Sequence, residues 1–318
     1  MTSRLHFARP NAVGIGRQWR RWVCASAIAP LALLGADPTK PGPLLRDAAR
    51  LDQTIVVVGE RGNIARTEDL GATWRHSTDT TSYTLCGVSF AEDGTGRAVG
   101  HGAFILKSED GGVSWRHQFT GPDIDSPFLD VLALSPSRVI AVGAFGAYFE
   151  SEDGGESWEQ RWILDEDMHL NRISQTDDST LFLAGEFGTL LRSTDEGASW
   201  ETLSVGGEGS LYGVISLADQ TLLAFGLRGR VYRSDDQGTR WTRIATPSSG
   251  LLMAGIQLPD SGKIVLAGQA RAWLVSDDHG RSFHSNGEDT PAIAEFLLGP
   301  DGGLFAVGEE GLQQFETP

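Results

Sequence analysis

Short apolar stretches alternate with clusters of glycine, aspartate and serine along most of the chain. The segment 83–119 shows this most clearly, as four stretches that run YTLCGVSF, GRAVG, AFILKSE and SWRHQF. Each has the length and residue preference of a β-strand, and turn-forming residues separate it from the next. The pattern predicts a unit of four antiparallel strands, with YTLCGVSF innermost and SWRHQF outermost.

Two motifs mark the turns of this unit and recur along the chain. SEDGGVSW at 108–115 returns as SEDGGESW at 151–158, and looser copies begin at residues 67, 193, 234 and 276. These six copies place an aspartate every 41 to 43 residues, at Asp69, Asp110, Asp153, Asp195, Asp236 and Asp278. A second motif, a small or apolar residue followed by glycine, occurs seven times with the same spacing as the first. Its leading glycines are Gly59, Gly100, Gly143, Gly185, Gly226, Gly268 and Gly308.

A unit of about 42 residues that repeats seven times predicts an all-β, seven-bladed β-propeller. The glycine motif falls on the turn between the second and third strands, and the aspartate motif on the turn between the third and fourth. There we expect the aspartate to accept backbone N–H groups, the glycine to take a positive φ and the tryptophan to pack between blades. These roles are structural and require no reaction.

The last unit, within 292–317, has three predicted strands and no aspartate motif. Closure of the ring would then require an outer strand from the N-terminal side. The segment DPTKPGP at 37–43 is a poor candidate, because its three prolines are tolerated only on an edge strand.

Residues 1–36 differ in kind from the rest: they hold five arginines and no acid, followed by the apolar run VCASAIAPLALLGA. A basic start, a short apolar core and a small residue near Ala36 predict a signal peptide for export. An uncleaved N-terminal anchor and a mis-assigned start codon are the alternatives. We therefore divide the chain into the signal or anchor at 1–36, a proline-rich linker at 37–43 and the propeller at 44–318.

Charge and cysteine content exclude several classes of partner and cofactor. Without the five arginines of 1–36 the formal charge falls from -16 to -21, which argues against nucleic acid or an anionic membrane as the main partner. Cys86 is the single cysteine outside that segment, so no internal disulfide or cysteine-based zinc site is expected, and its apolar surroundings indicate a small buried side chain. The acidic run at 165–169 lies on an extended loop whose side chains diverge, and we expect no metal or other cofactor.

The motif SEDGGVSW resembles the Asp box, or bacterial neuraminidase repeat, S/T-x-D-x-G-x-T/S-W. Across 44–316, the combination of VGERGNIARTEDLGATW with AVGHGAFILKSEDGGVSW resembles more narrowly the photosystem II stability and assembly factor family. The family consists of seven-bladed propellers of chloroplasts, cyanobacteria and also non-photosynthetic bacteria. The resemblance implies an exported, non-catalytic assembly scaffold, in the periplasm or an equivalent of the thylakoid lumen, that binds a membrane-associated protein client; we expect a monomer.

Candidate partner-binding residues lie on the predicted turns between second and third strands. In a propeller these turns share a face with the links between blades, where ligands commonly bind. Arginine and aromatic side chains anchor protein interfaces, and the candidates chosen on this ground are Arg61, His101, Phe145, Phe187, Arg228 and Arg271. The alternative interpretation is that these residues are ordinary solvated hairpin tips.

The second functional class is a carbohydrate-active or glycan-binding propeller, because Asp boxes also occur in sialidases and xyloglucanases. Sialidases hold a carboxylate with three arginines and use a tyrosine nucleophile assisted by a glutamate. This chain has four tyrosines and no F/Y-R-I-P opening, and it contains one propeller where xyloglucanases have two in tandem. It also lacks G-x-S-x-G, H-E-x-x-H, Walker and C-x-x-C motifs. We therefore expect no catalytic residue and no small-molecule substrate.

Overall fold

The computed structural model describes residues 42, 44–77, 81–176, 179–286 and 290–317. Their strands form seven antiparallel sheets in sequence order, which confirms the all-β, seven-bladed propeller. The predicted signal or anchor at 1–36 lies outside the described residues, and Gly42 alone is described from the predicted linker. Within the described part of the chain, no helix is long and apolar enough to cross a membrane.

The first four blades have four strands each. Blade 1 contains β1 (Leu45–Leu51), β2 (Thr54–Gly59), β3 (Ile64–Thr67) and β4 (Arg75–His76). Blade 2 contains β5 (Leu85–Phe90), β6 (Gly96–Gly100), β7 (Phe104–Ser108) and β8 (Arg116–Thr120). Blade 3 contains β9 (Phe128–Ala133), β10 (Val139–Gly143), β11 (Tyr148–Ser151) and β12 (Glu159–Gln160). Blade 4 contains β13 (Leu170–Gln175), β14 (Leu181–Gly185), β15 (Leu190–Ser193) and β16 (Glu201–Thr202).

The last three blades follow the same order, and the seventh has three strands among the described residues. Blade 5 contains β17 (Leu211–Ser216), β18 (Leu222–Gly226), β19 (Val231–Ser234) and β20 (Thr242–Ile244). Blade 6 contains β21 (Leu252–Gln257), β22 (Ile264–Gly268), β23 (Trp273–Ser276) and β24 (His284–Ser285). Blade 7 contains β25 (Ile293–Leu298), β26 (Leu304–Gly308) and β27 (Gly311–Phe315).

The recurring glycine ends the second strand of each blade because the inner strand's backbone passes directly against it. A Cβ on Gly100 would lie 2.1 Å from the Thr84 carbonyl oxygen, and one on Gly226 would lie 2.2 Å from that of Ser210. The same carbonyls accept the next backbone N–H, from His101 at 2.9 Å and from Leu227 at 2.9 Å. Close approach of two backbones therefore explains why this position is glycine in all seven units.

Each Asp box closes on itself through its aspartate and its first hydroxyl residue. In the second box, the Asp110 carboxylate accepts the Ser114 N–H at 2.9 Å and the Ser114 hydroxyl at 2.6 Å. The Ser108 hydroxyl donates to Asp110 at 2.8 Å and accepts the Gly112 N–H at 2.8 Å. Gly112 has φ +83, a left-handed conformation that favours glycine.

The boxes also join neighbouring blades, at the carbonyl that follows the aspartate. Arg97 of blade 2 donates to the Gly154 carbonyl of the third box at 2.7 Å, and Arg138 of blade 3 donates to that of Glu196 in the fourth at 2.9 Å. Arg192 and Arg233 make the equivalent contacts to the fifth and sixth boxes. Four consecutive blade interfaces therefore use a box carbonyl as acceptor for an arginine of the preceding blade.

Replacing Ser108 with alanine should lower the free energy of unfolding by about 1 to 3 kcal/mol, because it leaves the Gly112 N–H without its acceptor in a buried turn. Denaturant titration measures the loss. Ser114→Ala is the matched control, since Ser114 is exposed and its removal should cost less. Equal losses in the two variants would contradict a specific role for the buried hydroxyl.

Blade 7 meets blade 1 through packing and backbone contacts in the described residues. Leu45 and Ile55 of blade 1 form one apolar cluster with Leu297 and Phe305 of blade 7. The Arg50 guanidinium donates to the Leu298 and Gly299 carbonyls at 3.2 and 3.0 Å. Apolar contact between the sheets and the Arg50 hydrogen bonds therefore join these two blades, whereas the segment considered for a closing strand, 37–43, lies outside the described residues except for Gly42.

Candidate functional site

The six predicted partner-binding residues all lie on the turns between second and third strands, at one end of the propeller, and all six are exposed. We call this end, with the links between blades, the turn face; the Asp boxes lie at the other end, the box face. Arg61, Phe145, Phe187 and Arg228 occupy the same central turn position, with φ between +52 and +61. The structure distributes the six over blades 1 to 6, and their role in binding stays a prediction.

The left-handed turn position carries an exposed side chain in blades 1, 3, 4 and 5. Blade 2 has Gly102 at the central position, with φ +74, so His101 precedes it by one residue. Partial shielding from solvent and the positive charge of Arg46 lower the pKa of His101. In blade 6, Ala270 and Arg271 both have a positive φ, of 55 and 60 respectively.

Large exposed apolar side chains are concentrated on the turn face. The described residues contain seven of them, at Tyr83, Val113, Ile124, Phe145, Trp162, Phe187 and Leu227. Val113 lies in an Asp box on the box face, and the other six lie on turns or links of the turn face. The sequence identified Phe145 and Phe187 but missed Ile124 and Trp162, because the links that carry them follow no repeat.

Two shallow cavities open on this face. One, of about 260 Å³, lies between blades 2 and 3, with Phe145 and Trp162 among its lining residues. The other, of about 380 Å³, is lined by Arg228 and Arg243 together with the segment 244–248. The predicted residues Phe145 and Arg228 therefore each border a concave site.

A central cluster of charged residues lies on the inner strands, and the sequence analysis missed it. Arg172 of blade 4 forms ion pairs with Asp47 of blade 1 and Asp130 of blade 3, each at 3.6 Å, and with Glu295 of blade 7. The side chains of Asp47 and Asp130 are 4% and 6% exposed, and that of Arg172 is 27% exposed. One guanidinium thus joins carboxylates from three other blades.

Backbone N–H groups hold the carboxylates of the central cluster in place. Asp47 accepts the Val88 N–H of blade 2 at 2.8 Å, and Asp130 accepts the Ile173 N–H of blade 4 at 2.9 Å. Each aspartate therefore also connects its own inner strand to that of the next blade.

Burial raises the pKa values of the three carboxylates in the central cluster, which share one arginine. Desolvation raises the pKa of Asp47 to about 8, and Glu295 and Asp130 add to the rise while Arg172 opposes it. Desolvation also raises the pKa values of Asp130 and Glu295, again against the effect of Arg172. Burial therefore makes all three carboxylates harder to ionise, and Arg172 opposes this effect.

The repeat itself could have revealed this cluster. Asp47, Asp130, Arg172 and Glu295 each stand directly after the register shift in their inner strand. Aligning the seven inner strands at that position would have placed the four charges at one level of the propeller. Blade 2 has Gly87 there, where a Cβ would lie 3.0 Å from an Asp130 carboxylate oxygen.

Cys86, on β5, is half-buried and forms no disulfide in the described part of the chain. Burial raises the pKa of its thiol to about 12, so the thiol stays protonated at neutral pH. Among the described residues, which include 165–169, no group of three or more histidine, cysteine or acidic residues could hold a metal ion.

One family model matches part of the chain. The family model of the photosynthesis system II assembly factor YCF48 matches residues 117–257, somewhat less than half of the chain. No curated protein matches the chain in sequence.

Solved structures share the fold. A structure of YCF48 bound to D1 peptide has a TM-score of 0.71 at 20% identity, covering 90% of this chain and 99% of that one. YCF48 from Cyanidioschyzon merolae has a TM-score of 0.70 at 18% identity, covering 88% and 97%. The WD40 propeller domain of Doa1 has a TM-score of 0.68 at 12% identity, covering 86% and 93%. The chain is thus a seven-bladed propeller that resembles the photosystem II assembly factor YCF48, in sequence over residues 117–257 and in fold over nine-tenths of its length.

Proposed function

We propose that this protein is an exported, non-catalytic scaffold that binds a protein client with its turn face and assists the assembly or stability of a membrane-associated complex. The observation that carries the proposal is the segregation of exposed apolar side chains: six of the seven large ones in the described residues lie on that face. An exposed apolar surface costs solubility unless a partner covers it.

The chemistry of the turn face suits a protein partner. Phe145, Phe187 and Trp162 are 50%, 66% and 71% exposed, and Arg61 and Arg228 project from equivalent turns. Aromatic and arginine side chains supply most of the binding energy at protein interfaces. YCF48, a propeller of the same fold, has been solved with a bound D1 peptide, which supports peptide recognition as the activity of this chain.

A scaffold role agrees with the way the central carboxylates are used. A glycosidase needs two carboxyl groups placed on either side of the bond it cleaves. Here Asp47, Asp130 and Glu295 surround a single arginine, and their oxygens also accept backbone N–H groups. We therefore assign the central cluster to the stability of the ring. Export, with action in the periplasm or a comparable compartment, and a monomeric state complete the proposal.

Site-specific photo-crosslinking tests the choice of face. The full chain with Phe187→benzoylphenylalanine should form covalent adducts with one or a few proteins when it is irradiated with native envelope membranes, because position 187 lies on the turn face. Mass spectrometry of the adducts identifies the client.

The matched control is Val113→benzoylphenylalanine, at a position that is 53% exposed on the box face. It should give few or no adducts. Equal labelling at the two positions, or labelling at position 113 alone, would overturn the assignment of the turn face.

A further inference from the structure

We infer that the cavity between blades 2 and 3 binds a single large apolar side chain of a client peptide, flanked in that peptide by lysine or arginine. This inference rests on the proposed function and specifies the chemistry of its client. We call the site the apolar groove; its lining includes Ala103, Ala144, Phe145, Phe149, Trp162 and Asp167.

The floor of the apolar groove is open because the turn of blade 3 is built from small residues. Ala144 and Ala147 flank the sequence Phe145-Gly146, and both line the cavity. The turn of blade 4 has the same Phe-Gly pair, but Glu186 and Thr189 stand where blade 3 has the two alanines. The turns of blades 3 and 4 therefore differ at the two positions that flank the Phe-Gly pair. In blade 3 both positions hold alanine, whose small side chain leaves space for the groove.

The walls of the groove are aromatic rings that the fold leaves in water. Trp162 is 71% exposed and Phe145 is 50% exposed. Phe145 has φ +55, in the left-handed region that bulky side chains rarely adopt. The ring makes an edge contact with His169, with centroids 4.8 Å apart, and half of its surface remains available to a ligand.

The size of the cavity selects the kind of ligand. Its volume is about 260 Å³, below the roughly 300 to 1,000 Å³ of sites that enclose drug-sized molecules. One aromatic or branched aliphatic side chain fits such a space, and the remainder of the ligand would lie on the surface, as an extended peptide does.

The rim of the groove is acidic. Asp123 and Asp167 line it, and Asp125, Asp165 and Glu166 are exposed on the same two links. The Ser126 hydroxyl and the Asp125 N–H lower the pKa of Asp123, so this carboxylate is charged at neutral pH.

The neighbouring arginine does not neutralise this rim. Arg161, next to Trp162, directs its guanidinium to the Glu150 carboxylate at 3.0 Å and to the Gly197 and Ala198 carbonyls at 2.9 Å. Charge complementarity therefore favours a cationic partner, and lysine or arginine beside the inserted side chain would meet the carboxylates of the rim.

A random peptide library displayed on phage, selected on the full chain, tests the inference. We expect the enriched peptides to share an aromatic or branched aliphatic residue next to lysine or arginine. Phe145→Ala combined with Trp162→Ala should weaken binding of a synthetic enriched peptide at least about thirtyfold, because it removes both walls of the groove. Asp123→Asn combined with Asp167→Asn should weaken it less, with a reduced dependence on salt.

Val113→Ala is the control, because Val113 is a 53% exposed apolar side chain on the box face and does not line the groove. It should change the affinity less than about twofold, within the effect of an ordinary surface substitution. Unchanged thermal midpoints in all variants confirm that each protein is folded.

Three outcomes would contradict the proposed ligand of the groove. They are enrichment of acidic peptides, failure to enrich any peptide, and equal binding by the wild type and the Phe145/Trp162 double variant. A synthetic peptide of residues 1–36 provides a further test. If it displaced the selected peptides and bound as tightly as they do, the groove would be assigned to the chain's own arginine-rich segment, and the proposal that it binds a client would be wrong. If adducts at position 187 persist in the double variant, the turn face still binds its client. The proposed function would then hold, but the groove would not be the binding site.

Discussion

Replacing Arg172 with methionine should lower the free energy of unfolding by about 3 kcal/mol at pH 8. The substitution keeps a side chain of similar length but removes the one cation that Asp47, Asp130 and Glu295 share. Breaking a fully buried ion pair costs about 3 to 5 kcal/mol, because the remaining charge has no partner. We expect the lower end of this range, since the Arg172 side chain is 27% exposed.

The loss should depend on pH in a defined direction. The pKa of Asp47 is raised from 3.8 to about 8 in the folded state, so folding takes up a proton between these values. The free energy of unfolding of the wild type therefore falls as pH rises through this window. Without Arg172 the carboxylates ionise less readily still, so the effect of the substitution should be small near pH 4 and largest above pH 8.

The Asp boxes do not mask this dependence, because their pKa shifts have the opposite sign. Hydrogen bonds from Ser157 lower the pKa of Asp153 from 3.8 to about 2 in the folded state. The stabilisation from this group is present above pH 3.8 and is lost as pH falls through about 2. Its effect therefore lies below the window of the central cluster.

Denaturant titrations over a range from pH 4 to above pH 8 measure the prediction for Arg172. The control is Asp47→Asn in the Arg172→Met background, which removes one carboxylate but keeps an oxygen to accept the Val88 N–H. It should restore part of the stability at high pH and little at low pH. A loss that is the same at every pH would contradict the assignment of an electrostatic role to Arg172.

Replacing Trp115 with alanine should lower the free energy of unfolding by about 3 to 5 kcal/mol. Trp115 is 5% exposed and lies in the apolar cluster that joins blades 1 and 2, together with Val56 and Val58. Its ring makes an edge contact with Phe90, and its indole N–H donates to the Gly112 carbonyl at 3.2 Å. Truncation leaves a cavity between two sheets and removes the partner of that carbonyl.

Two controls separate packing from the integrity of the turn. Trp115→Phe should cost only about 1 kcal/mol, because a ring still fills most of the space, as Phe283 does in the sixth box, where it is 8% exposed. Val113→Ala, in the same turn but exposed, should stay within about 0.5 kcal/mol of the wild type. Denaturation midpoints that fall equally for Trp115→Ala and Val113→Ala would contradict the packing argument.

Features set by local geometry could be predicted residue by residue. Gly100 is needed because the Thr84 carbonyl lies against it, and Asp110 is needed because nearby N–H groups of its own turn require an acceptor. Each requirement arises within one unit and recurs in the others, so it leaves a periodic trace in the sequence. The same local geometry placed Phe145 and Phe187 on exposed turns.

Contacts between distant units have a weaker trace, because the repeat gives the position of a residue within its blade but not the residue that it meets in another blade. Trp162 and Asp123 lie on links of different length and composition, and only the packing of blade 3 against blade 2 brings them to one groove. Arg172 and Glu295 are separated by 123 residues in the chain, and closure of the ring places them in contact.

The sequence by itself determined the number of blades, the order of their strands and the residues at the tips of their turns. It could do so because every unit forms the same local hydrogen bonds and therefore repeats the residues that make them. The tertiary structure alone decided which units meet across the ring, how blade 7 packs against blade 1, and where the apolar groove and the central cluster form. Those contacts depend on curvature and closure, which arise from the packing of all seven sheets and are encoded in no single repeat.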